Sequence, residues 1–336
     1  TAVGLATIIR RPRSSAIGTS RSPHTKAFDQ SLLRQLINST VSDVARKQEV
    51  SYDAVLGAIN RGVARSVNWS AFTALKVIGM DEIALRKGHR DFVVIVTLRR
   101  GDGDIALLGV LPNRKKETVV AFLRSIPLKL RASIERVCTD MYEGYTNAVK
   151  EEVTQAQVVI DRFHVAKAYR ECADELRKSE LRELKQGLDA EEYKLLKGTM
   201  WPFRRNAADL EPEQEQAVAL LLECAPDLRK AYDLREELSA MFDAEQSKES
   251  AKRAITNWIG RVKQSGLKCF DSFLTTLDNW LDEITNYFLD RQTSGFVEGF
   301  NNKIKVLKRR CYGITNIAHL FQRVWLDLEG FKLFGI

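Results

Sequence analysis

The sequence predicts an α/β protein. A mixed five-stranded sheet with flanking helices is interrupted by a large helical insertion and preceded by two short helices joined by a tight turn. Three observations predict it. Short, β-branched apolar runs are confined to residues 75–160. From residue 165 to residue 290 the pattern is charged and helical. After residue 291 the chain closes with two helices, the first of which is rich in lysine and arginine. At 336 residues such a chain can bury one large core or two modest ones.

Residues 1–26 carry Arg10, Arg11, Arg13, Arg21 and Lys26 among Ser, Thr, Gly and Pro, which reads as a flexible basic arm. Residues 27–68 read as a helix-turn-helix segment. Asp29–Ile37 has helical spacing, and a second helix begins at Tyr52 with Ser51 as its N-cap. In such a motif the second helix enters the major groove, which makes Tyr52, Asp53, Asn60 and Arg61 candidates for the groove face. The same pattern also fits a small helical linker bundle.

At Ala74 the period changes. Strands are predicted at Leu75–Asp81, Asp91–Leu98 and Ile105–Leu111, joined by polar turns at Arg86–Arg90 and Arg100–Asp104. Lys116–Ser125 is an amphipathic helix, Ile134–Thr139 a fourth strand, Glu143–Glu152 a helix and Gln157–Ile160 a fifth strand. This β-β-β-α-β-α-β order matches a ribonuclease H-like domain, in which the first and fourth strands lie side by side. Residues 69–164 are then the first part of that core and residues 291–336 its closing helices. Residues 165–290 are the insertion, with helices at Glu213–Cys224, Asp227–Phe242, Ser247–Ser265 and Phe270–Phe288. Thr293 or Ser294 caps the next helix, and Ile317–Leu328 is the last one. Trp201, Trp258, Trp280 and Trp325 read as packing residues.

Composition narrows the partner. The net charge of +8 favours a polyanion. No apolar run approaches the roughly 18 residues that span a bilayer, and with no signal peptide the expected location is cytoplasmic. The five cysteines are scattered and form no Cys-x-x-Cys pair, so neither a disulfide framework nor a zinc site is indicated. The first residue is Thr1, and the chain reads as a fragment or a processed product.

Three acids carry the chemistry. Asp81 closes the first strand, Asp140 closes the fourth, and Glu298 lies near the start of a late helix. Carboxylates at the ends of core strands are costly unless solvated, paired or bound to a cation. Three of them converging from separate elements suit two hard divalent ions, which activate an attacking oxygen and stabilise a leaving one. Taken singly, an acid after a strand is more often a turn or cap residue. Glu82 and Asp161 are competitors; alternation along a strand puts Glu82 on the face opposite Asp81. Asn302 and Lys305 share roughly the Glu298 face. With Lys303, Lys308 and Arg309 they form the candidate nucleic-acid contact, Lys305 beside the scissile phosphate. His164 reads equally as a supporting residue or a packed helix-start residue, and His89 as a turn residue. Tyr142 and Tyr145, beside Asp140, read first as core and second as base-stacking residues.

The combination of Gly79–Glu82, Lys87–Arg90, Cys138–Tyr145, Asp161–Val165 and Ser294–Arg309 resembles the DDE transposases of ISL-three-type bacterial insertion sequences. The resemblance covers about residues 25–330. It implies a ribonuclease H-like catalytic core with a helical insertion, cleavage of DNA at element ends with Mg²⁺ or Mn²⁺, and strand transfer by the freed 3′-hydroxyl. It also implies double-stranded DNA as partner and a homodimer on that DNA. Position by position, the triad it implies is Asp81, Asp140 and Glu298. The sequence departs from the family's pattern at its beginning. The cysteine-rich, zinc-binding segment that precedes the helix-turn-helix in such proteins has no counterpart here, since no cysteine precedes Cys138. An alternative therefore stands beside the active enzyme: an inactive, truncated copy that binds DNA and represses transposition. A nuclease that cuts without joining is a third reading.

Overall fold

The computed structural model describes residues 24–85, 92–291 and 295–334. The basic arm through residue 23, His89 with the turn at residues 86–91, and the proposed caps Thr293 and Ser294 lie outside the described residues.

The described residues begin with three helices, α1 (Lys26–Leu36), α2 (Val41–Lys47) and α3 (Tyr52–Gly62). Each starts at a hydroxyl cap: Thr25, Thr40 and Ser51 accept from the backbone N–H groups of Phe28, Asp43 and Ala54. Their inner faces, including Leu32, Leu36, Val44, Val55 and Ile59, form one small core.

The sheet follows, with β1 (Val77–Ala84), β2 (Phe92–Arg99), β3 (Ile105–Leu111), α4 (Lys116–Ser125), α5 (Leu128–Arg131), β4 (Arg136–Thr139), α6 (Glu143–Glu152) and β5 (Gln157–Ile160). Its five strands lie in the order β3-β2-β1-β4-β5. The first three pair antiparallel, whereas β1–β4 and β4–β5 pair parallel across the helical crossovers. The first and fourth strands are neighbours, as expected. One detail differs: β1 does not end at its acids but continues to Ala84, because β2 pairs with it along its whole length.

The insertion contains α7 (Arg162–Leu184), α8 (Ala190–Lys197), α9 (Met200–Phe203), α10 (Pro212–Cys224), α11 (Pro226–Asp243), α12 (Lys248–Gln264), α13 (Asp271–Asn279), α14 (Leu281–Thr285) and α15 (Tyr287–Asp290). The helical pattern of Phe270–Phe288 is thus broken into three pieces. Trp280 leaves helical geometry, and the Thr285 hydroxyl bonds back to Leu281 O and Asp282 O, which bends a helix. Asn286 then donates to Val158 O at 2.7 Å, so the bend covers the outer edge of β5. Tyr169, Trp258, Phe270 and Phe273 pack ring on ring inside the insertion. Trp201, by contrast, is exposed, with the Arg204 guanidinium 5.1 Å from its ring.

Two helices close the chain, α16 (Gly295–Arg310) and α17 (Ile317–Phe334). One face of the sheet packs on α4, α6 and the insertion. The other packs on Phe300, Ile304 and Leu307 of α16 and on Leu320, Phe321 and Val324 of α17. α17 also holds the amino-terminal helices. Gln322 donates to Val63 O at 2.7 Å and Arg323 to Ser39 O at 2.7 Å, and Asp327 accepts from Asn38 N at 3.0 Å.

Candidate active site

Register places the first two acids. The parallel pairing of β1 with β4 runs through Gly79↔Cys138. Asp81 and Asp140 each stand two residues beyond that pair, one still on β1 and the other on the segment leaving β4. They repel each other. Burial, together with the charges of Asp81 and Glu82, pushes the Asp140 carboxyl up to about 6. Its Oδ1 is buried with no hydrogen-bond partner.

Asp81 is anchored from two sides. Its Oδ1 accepts from Glu82 N at 2.7 Å, and its Oδ2 accepts from Asn301 Nδ2, also at 2.7 Å. Asn301 is buried, and its own Oδ1 has no partner. This contact depends on Gly79, which lies two residues before Asp81 and so on the same face of β1. A Cβ there would stand 2.2 Å from Val297 Cγ2 and 2.9 Å from Phe296 Cζ. The glycine lets α16 lie against the strand.

Glu82 is engaged elsewhere. It accepts from Arg114 Nη1 at 3.2 Å and from the Tyr145 hydroxyl at 3.2 Å, and Tyr145 belongs to the opposite core. Asp161 caps α7, its Oδ1 accepting from Phe163 N at 2.9 Å. Both competitors of Asp81 therefore have structural partners. Tyr145 is fully buried, while Tyr142 is half-buried under the Arg114 guanidinium, 4.6 Å from its ring.

Glu298 is exposed in the first turn of α16. It does not close on the two aspartates: among the described residues, no three His, Cys, Asp or Glu side chains are grouped to hold a metal ion. His164 lies within electrostatic reach of both Asp81 and Glu298. Burial holds its imidazole below the usual value, against the opposing charges of Asp81, Asp161 and Glu298.

The buried stripe of α16 is Val297, Phe300, Asn301, Ile304 and Leu307. Asn302 is therefore exposed and accepts from Lys305 Nζ at 3.3 Å. Lys303, Lys305 and Arg309 are also exposed, whereas Lys308 is half-buried and donates to Ala84 O at the end of β1. The sequence reading named Asn302 and passed over Asn301. The signal was present, since Asn301 falls on the apolar stripe and one turn from Glu298.

The donor set fits a divalent cation. Crowded carboxylates, one with its oxygen buried and unpartnered, sit beside an unpartnered amide oxygen and are all hard ligands.

Comparisons with known proteins give the family. The sequence model of a transposase family matches residues 78–324. The chain is 30% identical over 308 residues to the transposase for insertion sequence element IS1001 of Bordetella parapertussis, covering 91% of this chain and 74% of that one. It is 24% identical over 329 residues to the transposase for insertion sequence element IS1557 of Mycobacterium tuberculosis, covering 92% and 73%. The structure is similar to a chain of the Drosophila P element transposase strand transfer complex, with a TM-score of 0.47, 10% identity and 95% of each chain covered.

Proposed function

Given that the chain belongs to the transposases of ISL-three-type insertion sequences, we propose that it cuts and joins DNA through Asp81, Asp140 and Glu298 on a ribonuclease H-like core. The observation that carries this reading is the pair of aspartates, which stand side by side two residues past the last β1–β4 pair, with a buried Asp140 oxygen that has no partner. Asp81, Asp140 and Glu298 would hold Mg²⁺ or Mn²⁺, two ions in all. Such ions, when bound, activate the attacking oxygen and stabilise the leaving one.

The chain's own residues supply the rest. Asn301 fixes the rotamer of Asp81 through its bond to Oδ2. Glu298 is exposed, and its side chain swings towards the aspartates when cation and DNA arrive. Lys303, Lys305 and Arg309, with Asn302 among them, lie along α16 as a track for the phosphates around the scissile bond. Residues 27–68 act as the helix-turn-helix, with α3 in the major groove and Tyr52, Asp53 and Asn60 exposed on it. Arg61 takes no part in base reading, because both its Nε and its Nη2 are bound to Asp29 at 2.8 Å. Two chains pair on the DNA. No helix among the described residues is long and apolar enough to cross a membrane.

The test is nicking of a labelled duplex that carries the element's end, with and without Mg²⁺. Nicking that needs the cation and is lost in Asp81→Ala supports the reading. DNA binding without any nicking favours the inactive, repressor-like copy.

A further inference from the structure

Beside Glu298, between α7, α11 and the start of α16, lies a cavity of about 410 Å³. We propose that it receives one unpaired nucleobase, extruded from the DNA next to the bond that is cut. This rests on the catalytic reading above and adds to it a binding subsite for the substrate.

The walls argue for a base and against a phosphate. Three cations, Arg162, Arg170 and Arg235, are matched by three acids, Asp161, Asp243 and Glu298. Several of these charges are already engaged. Arg162 pairs with Asp243, and Arg235 donates to Phe203 O, Arg205 O and Glu236. A site with balanced and largely committed charge does not attract an anion. It suits a flat, neutral group with both donors and acceptors. The size lies in the range of ordinary ligand sites.

The stacking surface is Phe163. It is 39% exposed although it sits in the first turn of α7, two residues after the cap Asp161. Arg170, two turns further along, places its guanidinium 5.7 Å from the Phe163 ring. Among the described residues only its Nε is hydrogen-bonded, to Ala166 O at 3.2 Å. Exposed ring and cation together make a surface on which a base of any sequence stacks. Ser239 and Asn206 line the same cavity and offer polar contacts to a base edge. Glu298 belongs to both the cavity wall and the triad, so a strand running to the aspartates passes the cavity mouth. A base taken out of the stack loses its stacking, and a pocket that holds it offsets that loss.

The test is a coupling measurement. Duplexes spanning the element's boundary carry an abasic nucleotide at each position around the cut in turn. Their dissociation constants are measured for the wild-type chain, Phe163→Ala and Arg170→Met, with Ca²⁺ in place of Mg²⁺. On the intact duplex we expect each variant to bind about fivefold or more weakly. At one boundary position, removal of the base should abolish that difference. A difference that persists on every abasic duplex means the cavity holds backbone and overturns the inference; so does the absence of any difference, or of binding. The catalytic reading is judged apart, by cleavage of the intact duplex by the wild-type chain in Mg²⁺. Coupling without cleavage sinks that reading and leaves the pocket standing.

Discussion

At the scale of single residues the site is held under strain of charge. Asp140 is pushed up to about 6 by burial and by its acidic neighbours. A raised folded-state value means that the neutral carboxyl is favoured by the fold. The penalty is absent below the ordinary value of 3.8, grows between there and about 6, and is complete above that. We therefore expect Asp140→Asn to stabilise the metal-free chain at pH 7.5, by about 1–3 kcal/mol, as read by thermal unfolding. Mg²⁺ should raise the melting temperature of the wild-type chain and leave that of Asp140→Asn nearly unchanged. A variant that melts lower than wild type without metal contradicts this account. Asn301 acts one step further out. Asn301→Ala removes the donor on Asp81 Oδ2, and we expect Mn²⁺ affinity to fall about tenfold, as for other supporting partners of ligands, by calorimetry.

At the scale of elements, the contact between β1 and α16 decides the geometry. Gly79→Ala forces a methyl group onto Val297 and Phe296. We expect a loss of about 1–3 kcal/mol in stability and a fall in nicking, although every acid is still present. A variant with wild-type stability and activity would show that the helix does not depend on this close approach. The sequence already showed much of this architecture. The runs Ile105–Leu111, Lys116–Ser125, Glu143–Glu152 and Gln157–Ile160 were legible to the residue because their periods are unmixed and turn signals bound them. The break at Asn286 was not, since it accompanies Asn286 reaching the edge of β5, a contact 128 residues away in sequence. Asn301 had a local signal, its place on the apolar stripe of α16 one turn from Glu298, but its bond to Asp81, 220 residues away, had none. Arg114 and Tyr145 as partners of Glu82 were likewise out of reach of any local pattern.

At the scale of the whole molecule, the fold brings a basic helix and a pair of acids to one side of a sheet while α17 ties the amino-terminal helices to the other end of the same layer. Phosphate contacts release counterions, so each lysine or arginine that touches a phosphate should contribute to the salt dependence of DNA binding. We expect Lys303→Ala, Lys305→Ala and Arg309→Ala each to reduce the slope of log K against log salt by about 0.9, measured by fluorescence anisotropy. Lys308→Ala should leave the slope nearly unchanged and lower stability instead, because its ammonium is bound to Ala84 O. The third acid is the point at which long-range order matters most, since the entire insertion from α7 to α15 separates Glu298 from Asp140. The most direct measurement is therefore strand transfer on labelled element-end DNA with Mn²⁺, comparing the wild-type chain with Glu298→Gln. Joined products from the wild-type chain that vanish in the variant, with DNA binding retained in both, are the predicted result. Equal products from the two chains would contradict the triad, and binding by both without products from either would contradict the active enzyme.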